Sequence, residues 1–153
     1  MLHIQIIQIG KTKDSYFIEA ENEYCKRLSK YAKLDIITLD AKKIVDDNEK
    51  LKKAEGKLIL AKISADNYVI AMEITGKEYS SEGFAELLDE IAIRGKVTFI
   101  IGGPYGLADE VLKRADLKLS FSRMTFTHQM IRTILLEQIY RAFTISTGKN
   151  YHY

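Results

Sequence analysis

The sequence predicts an α/β fold, a mostly parallel sheet flanked by helices. Three observations carry that reading. Short β-branched runs alternate with helical patterns along all 153 residues. The run Val97-Thr98-Phe99-Ile100-Ile101 is apolar on both faces, as a strand covered by helices on either side must be. That run stops on Gly102-Gly103-Pro104-Tyr105-Gly106, and a helical pattern follows. Strand, glycine-rich turn and helix is the arrangement at which open α/β sheets take their ligands.

The elements follow in order. Leu2 to Ile9 is an isoleucine-rich strand ended by Gly10. Asp14 is placed to cap a helix reaching about Tyr31, with Phe17, Ala20, Tyr24, Leu28 and Tyr31 as its inward stripe. Leu34 to Leu39 is the second strand. A charged loop, Lys42 to Asn48, leads to a helix over 49–63. The run KKIVDDNEKLKK there is compatible with an RNA contact, but a solvated loop is the simpler reading. Tyr68 to Glu73 is the third strand, and Ile74-Thr75-Gly76-Lys77 turns out of it. A helix starts at Ser80 or Ser81 and runs through Ile91. After the strand at Val97–Ile101 come a short helix from Leu107 to Lys113, a strand at Leu117–Phe121 and a long helix from His128. No repeat, linker or low-complexity segment interrupts the chain, so residues 1–153 read as one domain.

Composition excludes several classes. Hydrophobic residues at 46% and charged residues at 29% make an ordinary globular balance. No apolar run approaches the roughly 18 residues that cross a bilayer, so no membrane partner is expected. The start MLHIQIIQIGK lacks a basic region and a small-residue cleavage site, and is expected to be a strand and not a signal peptide. Cys25 is the single cysteine. It excludes an internal disulfide and fits a reducing, cytoplasmic compartment. No Cys/His cluster has metal-ligand spacing, so no metal is expected. Net charge is only +2, but residues 94–153 carry nine Lys/Arg against four Asp/Glu. The positive excess sits in the last third, which suits a phosphate-rich partner. Chance unevenness in a small protein is the alternative.

The last third also holds the candidate site. Gly102 and Gly103 allow either close approach of a ligand or positive φ. Pro104 suits position i+1 of a turn closed by Gly106. A tight turn that binds nothing explains the same residues. In the long helix Ile131, Leu135, Ile139 and Phe143 form an apolar stripe with Ile134 and Ala142 beside it. Gln129, Arg132, Glu137 and Arg141 mark the other face, with Glu137 and Arg141 in the favourable order for an ion pair. Thr127 is the expected N-cap, with Phe126 and Ile131 as a hydrophobic staple. Gly148 is the expected stop. The tail Lys149-Asn150-Tyr151-His152-Tyr153 is short, polar and aromatic, and a solvated end is its default reading.

Three blocks, IIGGPYGL, LSFSRMTFTHQMIR and LLEQIYRAFTISTGKNYHY, resemble the RlmH family of the SPOUT superfamily. The likeness extends to IQIIQIGKTKDSYFIEA and VIAMEITGKEYSSEGFA, and so over essentially the whole chain. It implies a SPOUT-type α/β knot, a C-terminal trefoil knot that composition and periodicity do not show. It implies methylation, with S-adenosyl-L-methionine (SAM), of N3 of a pseudouridine in 23S ribosomal RNA of the assembled ribosome. It implies a homodimer in which one subunit's pocket works with the other's tail. The SAM pocket maps onto Met72, Gly102 and the segment Phe121, Ser122, Arg123, Met124, Thr125 and Phe126. Gly103 and Gly106 join it on conformational grounds. Relatives often have leucine at Met72, proline at Thr127 and a basic residue at Tyr153.

Candidate catalytic residues come from the same region. His152 is the first candidate for a base at the acceptor nitrogen, because a histidine is mostly neutral near pH 7. His128, at a helix start that disfavours its charged form, is the second. A structural role fits His128 as well, and it is the simpler one for His3 in the first strand. Arg132 and Arg141 are candidates for phosphates or uracil carbonyls. Tyr151 and Tyr153 are candidates for stacking on an extruded base. Two alternatives stay open. One is a SPOUT methyltransferase with another RNA target, such as tRNA, which RNA from cells lacking the gene would reveal. The other is a non-catalytic ribosome-associated RNA-binding module, which failure to bind SAM would favour.

Overall fold

The computed structural model describes residues 1–41 and 47–152. Most of the charged loop considered for RNA contact, 42–46, and the stacking candidate Tyr153 lie outside the described residues. Among the described residues five strands and five helices alternate: β1 (Leu2–Ile9), α1 (Ser15–Leu28), β2 (Ala32–Leu39), α2 (Asn48–Leu60), β3 (Tyr68–Glu78), α3 (Ser81–Ala92), β4 (Lys96–Ile101), α4 (Asp109–Arg114), β5 (Leu117–Ser120) and α5 (His128–Ser146). The strands form one sheet in the order β2-β1-β4-β3-β5. Every pairing is parallel, as predicted.

Alternation along each strand sends side chains to two cores. Ile4 and Ile6 of β1, Val97 and Phe99 of β4 and Ile70 of β3 face one layer, packed by α1, α3 and α5. Ile7 and Ile9, Ile100, and Val69 and Ala71 face the other, packed by α2 and α4. Phe99 sits at the centre, in register with Ile6 on one side and Ile70 on the other. Its ring meets that of Phe84 edge-on at 6.3 Å. A buried polar chain crosses the α2/α4 side of the sheet: Asn67 donates to Thr98, and Thr98 to Gln5, both at 2.9 Å. His3 has the structural place expected of it, 2.5 Å from Asp35 across β1 and β2.

Several element ends differ from the sequence reading by a few residues, α2 stopping at Leu60 and α4 starting at Asp109, and two differences bear on the packing. α1 stops at Leu28 and β2 starts at Ala32, not at Tyr31 and Leu34. Tyr31 closes the connection by donating its N–H to Leu28 O at 2.8 Å, and its ring stacks on Phe143 at 5.4 Å. The second difference matters more. β3 does not end at Glu73. It leaves its register after Met72 and resumes at Lys77, and both residues pair with Leu119 of β5. Residues 73–76 form an excursion inside the strand, a wide bulge in place of the predicted exit turn. Gly76 is required there: a Cβ would lie 2.6 Å from the carbonyl of Lys118.

The ends of α5 match the sequence. Thr127 accepts from Met130 N at 3.2 Å as N-cap. At the far end Gly148 adopts φ +69°, Gly148 N bonds Ile145 O, and Lys149 N bonds Thr144 O at 2.9 Å. That pair of bonds is a Schellman motif. Truncation of the central aromatic gives the fold's most direct test. Phe99→Ala is expected to lower the unfolding free energy by about 3–5 kcal/mol, read from urea titration.

Candidate active site

The carboxyl ends of β3, β4 and β5 open into one cleft of about 820 Å³. That lies within the roughly 300–1,000 Å³ of small-molecule sites. Its floor is the turn after β4. Gly106 N bonds Gly103 O at 3.1 Å, with Pro104 between them and Gly106 at φ +82°. Gly102 and Gly103 do not take positive φ. They are needed for space. A Cβ on Gly102 would lie 3.0 Å from Leu107, and one on Gly103 would lie 3.2 Å from Ile9 and 3.4 Å from the buried Glu55 carboxylate. Room against the protein's own side chains, Leu107, Ile9 and Glu55, is therefore what these two glycines provide.

One wall is the end of β3 with its excursion, contributing Met72, Glu73 and Ile74. A second is the segment between β5 and α5. It is folded on itself: Ser120 Oγ donates to Ser122 O at 2.9 Å, and Met124 N donates to Ser122 Oγ at 3.0 Å. Phe121, Ser122, Met124, Thr125 and Phe126 line the cleft from this segment. Arg123 does not, and it is exposed. Of the residues mapped to a SAM pocket, nine of the ten thus border one cavity. His128, in the first turn of α5, borders it too.

The sequence reading missed a third wall. Asp14, Tyr16 and Phe17 line the cleft from the start of α1, and Gln129, Met130 and Ile131 from the start of α5. The only signal was the staple pair Phe126 and Ile131, both of which are in the lining.

Arg132 requires a correction. It is not on a wet face and meets no open surface: it is 2% exposed. Nη2 donates to Ile9 O at 2.7 Å and Nη1 to Thr12 Oγ1 at 3.1 Å. Its Nε finds no partner. Burial pulls its pKa down, against a smaller opposing pull from Glu21. A guanidinium so enclosed is not available to a phosphate.

Arg141, Tyr151 and His152 lie together at the other end of α5. Arg141 pairs with Glu137 at 2.5 Å, the ion pair read from the spacing, and this bond raises its pKa. Tyr151 donates to Glu137 Oε1 at 3.2 Å and lies 3.4 Å from the Tyr24 hydroxyl. Its ring meets Tyr140 edge-on at 4.8 Å, beneath the Arg141 guanidinium at 4.9 Å. Burial, then Tyr24 and Glu137, push its phenol pKa well up, so it remains a neutral donor. Tyr151 is therefore packed against α1 and α5, and this part of the tail is not a solvated end. Arg141 Nη1 lies 3.1 Å from His152 Nδ1. Guanidinium only donates, so Nδ1 accepts and the ring proton belongs on Nε2. Nε2 then donates to Glu82 at 2.6 Å. The Glu82 carboxyl is held low by its own backbone amide first and by His152 second.

The cleft and the tail cluster are far apart in one protomer. Arg141 is thirteen residues beyond His128 on one helix. At 1.5 Å per residue the separation is about 20 Å. Among the described residues no group of His, Cys, Asp and Glu could hold a metal ion, and no helix is long and apolar enough to cross a membrane.

Comparison with known proteins gives the family. The family model described as "Predicted SPOUT methyltransferase" matches residues 2–152. The chain is 52% identical to the ribosomal RNA large subunit methyltransferase H of Clostridioides difficile, over 99% of both chains. It is 50% identical to the protein of the same name from Carboxydothermus hydrogenoformans and 46% to that from Clostridium acetobutylicum, again over 99% of each. The chain belongs to the RlmH family of SPOUT methyltransferases.

Proposed function

We propose that this chain transfers a methyl group from SAM to N3 of a pseudouridine in 23S ribosomal RNA of the assembled ribosome, as a cytoplasmic homodimer. The observation that carries the reading is identity of 43–52% along 99–100% of the chain to relatives named ribosomal RNA large subunit methyltransferase H. The trefoil knot belongs to the same proposal, and family membership supports it.

The residues present suit SAM. Met72, Leu107 and Phe121 give an adenine an apolar slot. The Gly102–Gly106 turn brings backbone groups to the cavity with little side chain in the way. SAM supplies an electrophilic methyl group. The cleft's part is to hold that group in line with the acceptor, which converts a bimolecular encounter into an effectively unimolecular step. The N–C bond would form as the methyl–sulfur bond breaks, S-adenosylhomocysteine would leave, and the acceptor nitrogen's proton would pass to solvent.

In this reading the second half of the site comes from a partner copy. One protomer keeps its tail cluster about 20 Å from its own cleft along α5. Packing two copies with their α5 helices antiparallel brings the tail of each to the cleft of the other. Exposed Tyr16, Tyr105, Met124 and Met130 near the cleft are large apolar side chains that such packing would cover. In the tail, Arg141 fixes His152 as a donor through Nε2. That geometry suits a uracil carbonyl or phosphate oxygen in the place Glu82 now holds. The base role read from the sequence requires the ring to leave Arg141 first.

Transfer of a labelled methyl group from SAM to ribosomes with and without the target pseudouridine tests the reading. Label in the large-subunit RNA only when pseudouridine is present is expected; no label on either would sink it. A dimeric mass at micromolar concentration is expected by sedimentation. Gly102→Val would press on Leu107, and overpacking of this kind is expected to weaken SAM binding at least about tenfold by calorimetry. His152→Ala is expected to slow transfer about 10²-fold with SAM affinity kept. His152→Gln retains a donor and should recover part of that loss. Recovery would be absent if His152 acts as the base.

A further inference from the structure

We infer that Gln129 and Arg132 are positioning residues that clamp the loop between β1 and α1 as a wall of the cleft, and so set SAM affinity. This rests on the proposed methyl transfer.

The clamp is two-handed. Gln129 Oε1 accepts from Lys13 N at 2.8 Å and from Asp14 N at 3.1 Å. Its Nε2 donates to Asp14 Oδ2 at 3.2 Å. One turn on, Arg132 holds Ile9 O and Thr12 Oγ1, and the Thr12 hydroxyl passes on to Glu21 at 2.6 Å. Two side chains of α5 thus hold four of the six residues from Ile9 to Asp14. The segment they hold leads directly into Tyr16 and Phe17 of the cleft wall.

Local preferences argue against this arrangement arising for stability alone. Asp14 stands at the N-cap of α1 in extended conformation yet makes no side-chain cap bond. A capping Asp would serve the helix well. Its carboxylate goes to Gln129 and, at 3.4 Å, to the Tyr16 hydroxyl. Arg132 is buried against a carbonyl and a hydroxyl with no carboxylate in contact and Nε unpartnered, a costly way to fill a core position. Both departures converge on one loop, and that loop borders the cleft. Local rules broken together at one place mark a functional requirement.

The test uses the full chain, SAM as the probe, and variants that separate the contacts. Gln129→Ala is expected to weaken SAM binding about tenfold, the effect of losing one to two net hydrogen bonds. The KM for SAM should rise more than kcat falls, and amide exchange at Lys13 and Asp14 should quicken. Gln129→Glu alone sets two carboxylates against each other and should be as weak. Adding Asp14→Asn to it restores the side-chain bond with reversed polarity, and affinity should return to within about threefold of the original. A role in bulk stability alone would leave SAM affinity unmoved in Gln129→Ala while the chain remains folded. Gln129→Ala binding SAM as tightly as the unmodified chain would overturn the inference, as would absence of rescue in the double variant. Failure of the unmodified chain to bind SAM would overturn the functional reading first, and the cofactor role of the clamp with it.

Discussion

The packing of α5 decides most of what this molecule can do. Leu135, Leu136, Ile139 and Ala142 bury one row of the helix in the core shared with α1 and α3. A helix fixed along its middle holds its ends apart: nineteen residues span about 28 Å. The first turn stands in the cleft, and the last turn carries the aromatic tail. Neither end can reach the other, so groups at both ends meet at one reaction centre only across two copies. The dimer of the proposed function rests on that length.

The sheet adds the second constraint. β4 is buried on both faces and ends at a turn where neither Gly102 nor Gly103 can carry a Cβ without displacing a neighbour. The floor of the cleft is therefore placed by a buried strand and its tight turn. Rigid elements position a site more closely than loops do. The β3 excursion depends on the same logic, since Gly76 lies against the Lys118 backbone.

These features were unequally legible in the sequence. The apolar run of β4, the Thr127 cap, the Gly148 stop and the Glu137–Arg141 pair each follow from residues close in sequence, and each is where the pattern put it. Arg132 was misread because its charge was given more weight than its position. It lies three and four residues before Leu135 and Leu136, in the row that is buried. Only the arrival of the β1 carbonyl end, more than a hundred residues away, makes that place acceptable to a guanidinium. The β3 excursion was hidden for a similar reason. Ile74-Thr75-Gly76-Lys77 has the composition of a turn, and the resumption of the ladder depends on β5. The tail looked like a solvated end because Tyr24 on α1, Tyr31 in the connection to β2 and Tyr140 on α5, which receive it, lie far apart in the sequence.

The departures from local preference are not scattered. The uncapped Asp14, the unpartnered Arg132 Nε, the neighbouring Thr133 hydroxyl without a partner and the β3 excursion gather about the carboxyl edge of the sheet and the α5 turns beside it. The opposite edge is regular: Gly95 turns at φ +79° and its carbonyl receives His3 N at 2.9 Å. Asn67 Oδ1 is the exception there, a single orphan beside an otherwise bonded polar chain. A domain stabilised elsewhere can hold under-bonded groups at this edge, beside the cleft. The two cores supply that stability, and the third wall of the cleft is where it is used.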